Sequence, residues 1–354
     1  MSSINDVIVQ INSAATTTIL VLGFTNFILG AIGLVFNLII FTRPSLNREP
    51  CSVYFFWSTC FSLFVVYIIV PLRILSNNFN IDMTNSNLGI CKIENFANYS
   101  SRAIPCWLIL LACLDRYFHS SSNVNIRRLS SLKVARWSIP ILSLIIMILY
   151  SHMLVYYEIY YTTNQSGNII GTCSPQKGIY RAFIGFWYMI LYSLCPSLLM
   201  LLFGLLTLNN VRQHRRVVPT ISGNNQILRR TDNQLLRMLI AQVLVIMIAT
   251  LPYSINQLYS SFTANITKST LRIAQESFAT RVLGSMTSFA HTTSFYFYTL
   301  TGTIFRKEFH KIIQRCFHKN QNREPSLHRE TNAIGNIHSN RKLLISHINY
   351  PSKQ

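Results

Sequence analysis

Five stretches of this chain run for more than 20 residues with at most one charged side chain in each: residues 17–42, 52–75, 134–157, 180–208 and 236–260. About 20 mostly apolar residues suffice for a helix to cross a bilayer. Backbone groups inside lipid must find partners within the segment, and a helix supplies them. The chain is therefore expected to be an all-α membrane protein. Composition agrees, with 12% charged residues and a net charge of +20. A soluble nucleic-acid binder could carry that charge but not these apolar runs, so nucleic acid is not an expected partner. Residues 1–16 lack the basic start, short apolar core and small-residue cleavage site of a signal peptide, so the first run is read as an uncleaved anchor.

Two further segments are weaker. Residues 91–118 are apolar only in their second half, and residues 276–303 contain Arg281 and His291. Both arrange their polar residues at helical spacing: Asn95, Asn98 and Arg102 in one, and Arg281, Ser285, Ser288 and Thr292 in the other. Such a stripe faces a bundle interior or a watery cavity. An arginine facing lipid near mid-membrane costs at least ~2.5–3.5 kcal/mol, so Arg102 is expected to point inward. Arg281 is expected inward or near an interface. Counting both segments gives seven spans.

Loop charge sets the orientation. Seven spans group Arg43, Arg48, Arg127, Arg128, Lys133, Arg212, Arg215, Arg216, Arg229, Arg230 and the basic residues after Arg306 on one side. The other side holds only Lys92, Lys177, Lys268 and Arg272. The positive-inside rule places the first set and the C-terminus in the cytoplasm, and the N-terminus outside. Dropping either weak span would strand basic loops on the wrong side. The sequons at Asn164 and Asn265 then fall in outer loops, where glycans are added. Cys91 and Cys173 fall at the oxidising outer surface, as a disulfide or as two free thiols.

In order along the chain stand Asn37 within Gly33-Leu34-Val35-Phe36-Asn37, Cys91, Asp115-Arg116-Tyr117, Trp137, Cys173, Pro196, Pro252 and Ser294-Phe295-Tyr296-Phe297-Tyr298. Over residues 17–317 this resembles the rhodopsin-like G-protein-coupled receptors. The resemblance implies a seven-transmembrane bundle in the plasma membrane, with no cofactor and no enzymatic activity. It divides the chain into an extracellular tail (1–16), the bundle (17–303), an amphipathic cytoplasmic helix (304–317) and a disordered basic tail (318–354). Phe305, Phe309, Ile312 and Ile313 would form the apolar side of that helix. Cys316 beyond them is a candidate for palmitoylation or a free thiol.

The resemblance also assigns roles. Arg116 is expected to pair with Asp115 and with Asp232, twenty residues before Pro252, or about 30 Å along a helix. Asp232 has a second reading, as the cap of a helix beginning near Asn233. Pro252 would give the sixth span a lever point, and Tyr298 would steady the opened state. Heterotrimeric G protein is the implied inner partner, with arrestin an open candidate and anionic lipid facing the basic loops. Several landmarks depart from the pattern. The usual aspartate of the second span is replaced by Ser62 or Thr59, the tryptophan before Pro252 by Thr250, and the Asn-Pro of the seventh span by Ser294-Phe295. The usual tyrosine after Pro196 is Gly204.

Asn98, Arg102, Tyr253, Asn256, Gln257, Arg281 and Ser285 are the candidate ligand-binding residues. Asn98 stands where amine receptors of this family carry an aspartate, which disfavours small cationic amines. The seventh span has no central lysine, which excludes a retinal Schiff base. The two arginines suit an anionic or carbonyl-rich group, including a peptide end. Leu251-Pro252-Tyr253 loosely resembles invertebrate neuropeptide receptors. The remaining readings are a non-signalling decoy receptor, or a channel or transporter, for which no internal repeat is found. Arg102 is read either as a ligand contact or as the holder of an internal partner.

Overall fold

The computed structural model describes residues 2–79, 81–163, 169–217, 223–263 and 266–321. Up to Thr303 it is one compact unit of seven helical spans. Five of them are long and apolar enough to cross a membrane by length and composition: Ile4–Phe41, Pro50–Ser76, Leu132–Tyr156, Ile179–Gln213 and Leu239–Phe262. The other two are the helix Leu88–Ser120 and the segmented run Thr270–Met286, Phe289–Thr292 and Ser294–Thr301. These are the third and seventh spans.

The low hydropathy of span three follows from where it sits. Span three packs against spans two, four, five and six, and nearly every residue from Ser100 to Arg116 is buried. Protein surrounds it, so it needs no lipid-facing apolar surface. Asn87 caps its start by accepting from the Gly89 and Ile90 backbone N–H groups at 2.9 and 3.2 Å. Span four shows the opposite pattern. Trp137, Ile141, Leu144 and Ile148 are exposed on its outer side, as suits a helix at the rim of a bundle in lipid.

Prolines act in two ways. Pro105, Pro140 and Pro252 lie inside continuous α-helix. Pro71 and Pro196 instead follow wide π-helical turns at Val65–Ile69 and Met189–Leu194. A proline ring clashes with the carbonyl four residues back. For these two, that carbonyl belongs to Tyr67 and Tyr192, within the wide turns, where the extra residue makes room.

Span seven breaks twice, at Thr287–Ser288 and at Thr293. Side chains from other spans bond carbonyls beside the breaks. Asn26 Nδ2 donates to the Ser285 carbonyl at 3.4 Å, and Gln242 Nε2 to the Ala290 carbonyl at 3.0 Å. Irregular backbone at membrane depth is stable only where protein supplies such partners.

Several features depart from the sequence-based expectation. The first helix runs through Ser2–Phe41, so most of the segment read as a tail is helical. The segment after span four is a two-stranded antiparallel hairpin, β1 (Tyr157–Thr163) and β2 (Ile169–Pro175), with Tyr157 opposite Pro175. Helix Gly223–Phe262 begins well before Asn233, so Asp232 does not cap a helix there. The side chains of Asp232 and Cys316, and residues Asn164, Asn265 and 322–354, lie outside the described residues. By itself, the helix Thr303–Gln321 repeats Phe305, Phe309, Ile312 and Ile313 at helical spacing and carries a Lys311–Glu308 ion pair of 2.8 Å.

Candidate ligand cavity and coupling end

Cys91 opens span three and Cys173 lies on β2, and they form a disulfide. A second tie lies beside it. Asn85 Oδ1 accepts from the Cys173 backbone N–H at 2.9 Å, and Asp82 in turn accepts from Asn85 Nδ2 at 3.1 Å. Asp82 also accepts from Ser76 Oγ at 2.6 Å and from the Thr84 N–H and hydroxyl. Partial burial pushes its carboxyl pKa up, but the Ser76 and Thr84 hydrogen bonds, with the Arg73 charge, outweigh that and hold it below 3.8. Gly171 lets β2 approach closely, because a Cβ there would lie 2.4 Å from the Asn85 carbonyl oxygen.

Below this hairpin lies a cavity of about 300 Å³. That is at the lower end of the range for small-ligand sites. Asn98, Arg102, Tyr253, Arg281 and Ser285 line it, together with Tyr99, Tyr157 and Tyr188. Asn256 and Gln257 are not among its described lining residues. Asn256 Nδ2 donates to Thr280 Oγ1 at 2.8 Å, and Gln257 Nε2 to the Tyr253 hydroxyl at 2.6 Å, so each holds a residue that does line it.

Arg102 sits at the floor, with 7% of its surface exposed. Its Nε donates to Asn98 Oδ1 at 3.0 Å and its Nη1 to Thr287 Oγ1 at 2.5 Å. Arg102 thus has an internal partner, gripping span seven at the first break, and it also lines the cavity. Tyr188 meets Tyr99 and Tyr253 edge to face, with ring centroids 5.3 and 5.4 Å apart. Arg73 reaches the cavity from span two with Glu94 3.9 Å away. Sequence reasoning passed over Arg73, although it is the lone charge of its apolar run, and over Tyr99, Tyr157 and Tyr188, which spacing does not separate from packing aromatics.

Under Arg102 the departures from the family pattern become a second network. Thr287, at the first break, and His291 beyond it are four residues apart. Buried His291 meets the Tyr192 hydroxyl at Nε2 (3.1 Å) and Ser62 Oγ at Nδ1 (3.5 Å). Thr250 and Ser193 share a hydrogen bond of 2.8 Å, and Asn37 Nδ2 donates to Ser294 Oγ at 3.0 Å. A void of about 10 Å³ remains between Ser58, Thr59, Ser62, Gln242 and His291, roughly the room one water needs.

At the opposite end of span three, Asp115 and Arg116 are both buried. Arg116 donates to Asp115 Oδ2 through Nη2 at 2.8 Å and Nε at 3.2 Å, and Ser130 Oγ donates to Asp115 Oδ1 at 2.7 Å. Glu49, at the head of span two, stands 3.5 Å from Arg116 Nη2. Glu49 and Ser130 escaped the sequence reading because both lie in short loops without a periodic signal. Tyr117 faces Phe203 of span five with ring centroids 5.7 Å apart, and buried Tyr298 packs on Phe41 and Phe55.

The structure is thus a seven-helix membrane bundle with a disulfide-anchored hairpin over a polar cavity and a buried acid–arginine pair at its far end. The chain belongs to the 7 transmembrane receptor (rhodopsin family), whose model matches residues 33–295. Members are non-enzymatic receptors that take an extracellular ligand and signal through G proteins. No curated protein matches this chain.

Proposed function

We propose that this receptor binds a peptide in the cavity beneath the hairpin and activates a heterotrimeric G protein at the Asp115-Arg116-Tyr117 end. In this reading it lies in the plasma membrane with the hairpin outside and the C-terminus in the cytoplasm. The bundle covers residues 17–303, between an outer segment (1–16), an interfacial helix (304–317) and a basic tail (318–354). Glycans on Asn164 and Asn265, a lipid on Cys316, and arrestin as a further inner partner belong to the same reading.

The observation that carries the proposal is the pairing of two sites on span three. Arg102 lines the cavity and binds Thr287 of span seven, while Arg116 is held by Asp115 and Glu49 four turns further on. A ligand that draws on Arg102 changes its hold on Thr287 and the helix pieces below it. The state in which span six swings about Pro252 then gains population, frees Arg116 for the G protein and is steadied by Tyr298. A ligand does this only to the extent that it binds the opened state better. Asp232 is proposed as a further resting partner of Arg116.

The test is peptide-dependent nucleotide exchange on a G protein in membranes carrying the receptor. Arg116→Ala is expected to abolish exchange while peptide binding stays within a few-fold. Peptide binding without exchange in the wild-type chain would favour a decoy receptor, a reading that the replacement of the span-six tryptophan by Thr250, bonded to Ser193, keeps in play.

A further inference from the structure

The floor of the cavity carries charge that its lining does not balance. The hydrogen bonds of the Arg102 side chain described above go to Asn98 and Thr287, both neutral. Arg281 lines the same cavity, and no described lining residue bears a carboxylate. Arg73 differs, because Glu94 stands 3.9 Å from it. A guanidinium taken out of water and met by neutral acceptors alone keeps most of its charge unanswered. Its fork also retains N–H donors beyond those given to Asn98 and Thr287. A planar fork matches a carboxylate in two parallel hydrogen bonds, which a lysine could not offer. The tyrosine rings at 99, 188 and 253 provide an apolar wall with polar edges alongside.

We propose that the cavity is a carboxylate-binding site, in which the ligand seats a free carboxylate on Arg102. Arg281 is the second cation, and the group next to the carboxylate lies against the tyrosines. The inference rests on the receptor reading only in taking this cavity as the ligand site, and it names the ligand's anchoring group. The free C-terminus of a peptide and a small monocarboxylic acid share that chemistry. A C-terminally amidated peptide or a cationic amine does not.

The experiment uses the purified full-length receptor and three probes: N-acetylphenylalanine, its primary amide, and an acetylated tripeptide ending in phenylalanine as the free acid. Thermal unfolding is followed against millimolar probe, since a ligand that binds only the folded state raises the midpoint. The acids are expected to raise it and the amide to fall at least about tenfold short in affinity, the usual worth of a charge-assisted hydrogen bond. Arg102→Gln should erase the difference, and Arg102→Lys should keep part of it. Equal shifts from acid and amide, no shift from any probe, or a preference that survives Arg102→Gln would each overturn the proposal. The wild-type comparison decides the matter alone if a variant does not fold. A tripeptide acid much tighter than the amino-acid probe identifies a peptide end as the source, and equal affinities identify a small acid. Nucleotide exchange is measured separately, so failure of G-protein signalling and failure of the carboxylate site remain distinguishable.

Discussion

Arg116 is buried beside an acid that is also buried, and beside a second acid that is partly exposed. The two contacts differ in worth. The 2.8 Å bond to Asp115 is charge-assisted and shielded from water, whereas Glu49 at 3.5 Å, with 37% of its side chain exposed, is a weaker restraint. Glu49→Gln is therefore expected to loosen Arg116 by about 0.5 kcal/mol, which is roughly a twofold rise in ligand-free nucleotide exchange. Exchange unchanged or lowered would remove Glu49 from the resting restraint. Asp82 is the other residue whose surroundings set its chemistry. Its pKa is held below 3.8, so its share of stability is intact above that value and is lost as pH falls through the lowered pKa. Acid titration of the purified receptor should show a fall in thermal midpoint in that range, and Asp82→Asn should remove that component. Because Asp82 holds Asn85, and Asn85 holds Cys173, the hairpin should loosen in the same range.

Elements differ in how plainly they could be read in advance. The five apolar spans were legible because lipid-facing helices must be apolar along their length. Spans three and seven were legible through their polar stripes and the loop charges that require them; span three, wrapped in protein, has little need of an apolar signal. The hairpin was overlooked, although Tyr157–Thr163 and Ile169–Pro175 are rich in the aromatic and β-branched residues that favour strands, and Asn164-Gln165-Ser166-Gly167-Asn168 stands between them in the sequence. Of the candidate ligand residues, Asn98, Arg102, Tyr253, Arg281 and Ser285 line the cavity. Asn256 and Gln257 fell one layer behind because sequence gives a helical face but not its depth. Span seven yields the clearest prediction at this scale. His291→Phe leaves the Tyr192 hydroxyl buried without its partner and removes the contact with Ser62. A loss of about 1–3 kcal/mol is expected, read as a lower thermal midpoint in detergent, with His291→Gln recovering part of it. A neutral result would mean that the hub between spans two, five and seven carries no stability.

The whole molecule is organised along span three. One end meets the hairpin and cavity, the other holds Arg116, and the polar contacts between them cross from span to span through small hydroxyl and amide side chains. Rhodopsin-like receptors usually fill this middle zone with an aspartate, a tryptophan and an Asn-Pro pair, and here Ser62, Thr250 and Ser294 stand in their places. Among these smaller side chains His291 is buried and bonds Ser62 of span two and Tyr192 of span five.

The broken seventh span bears on how the chain is made. A segment with Arg281, Glu276 and two helix breaks is a poor candidate to enter lipid alone, and the translocon releases a segment according to its hydropathy. Asn26 supplies a bond to the Ser285 carbonyl and accepts from Thr292 at 3.1 Å, and Asn37 bonds Ser294. Span one therefore offers polar partners around the breaks in span seven, and it is expected to help that segment enter the membrane. In the double variant Asn26→Leu and Asn37→Leu, span one becomes more apolar while span seven loses its receiving groups. A glycan-acceptor tag placed after residue 303 should then be modified in a measurable fraction of chains, reporting C-termini stranded on the wrong side of the membrane. A tag that stays unmodified would mean that span seven inserts without help from span one.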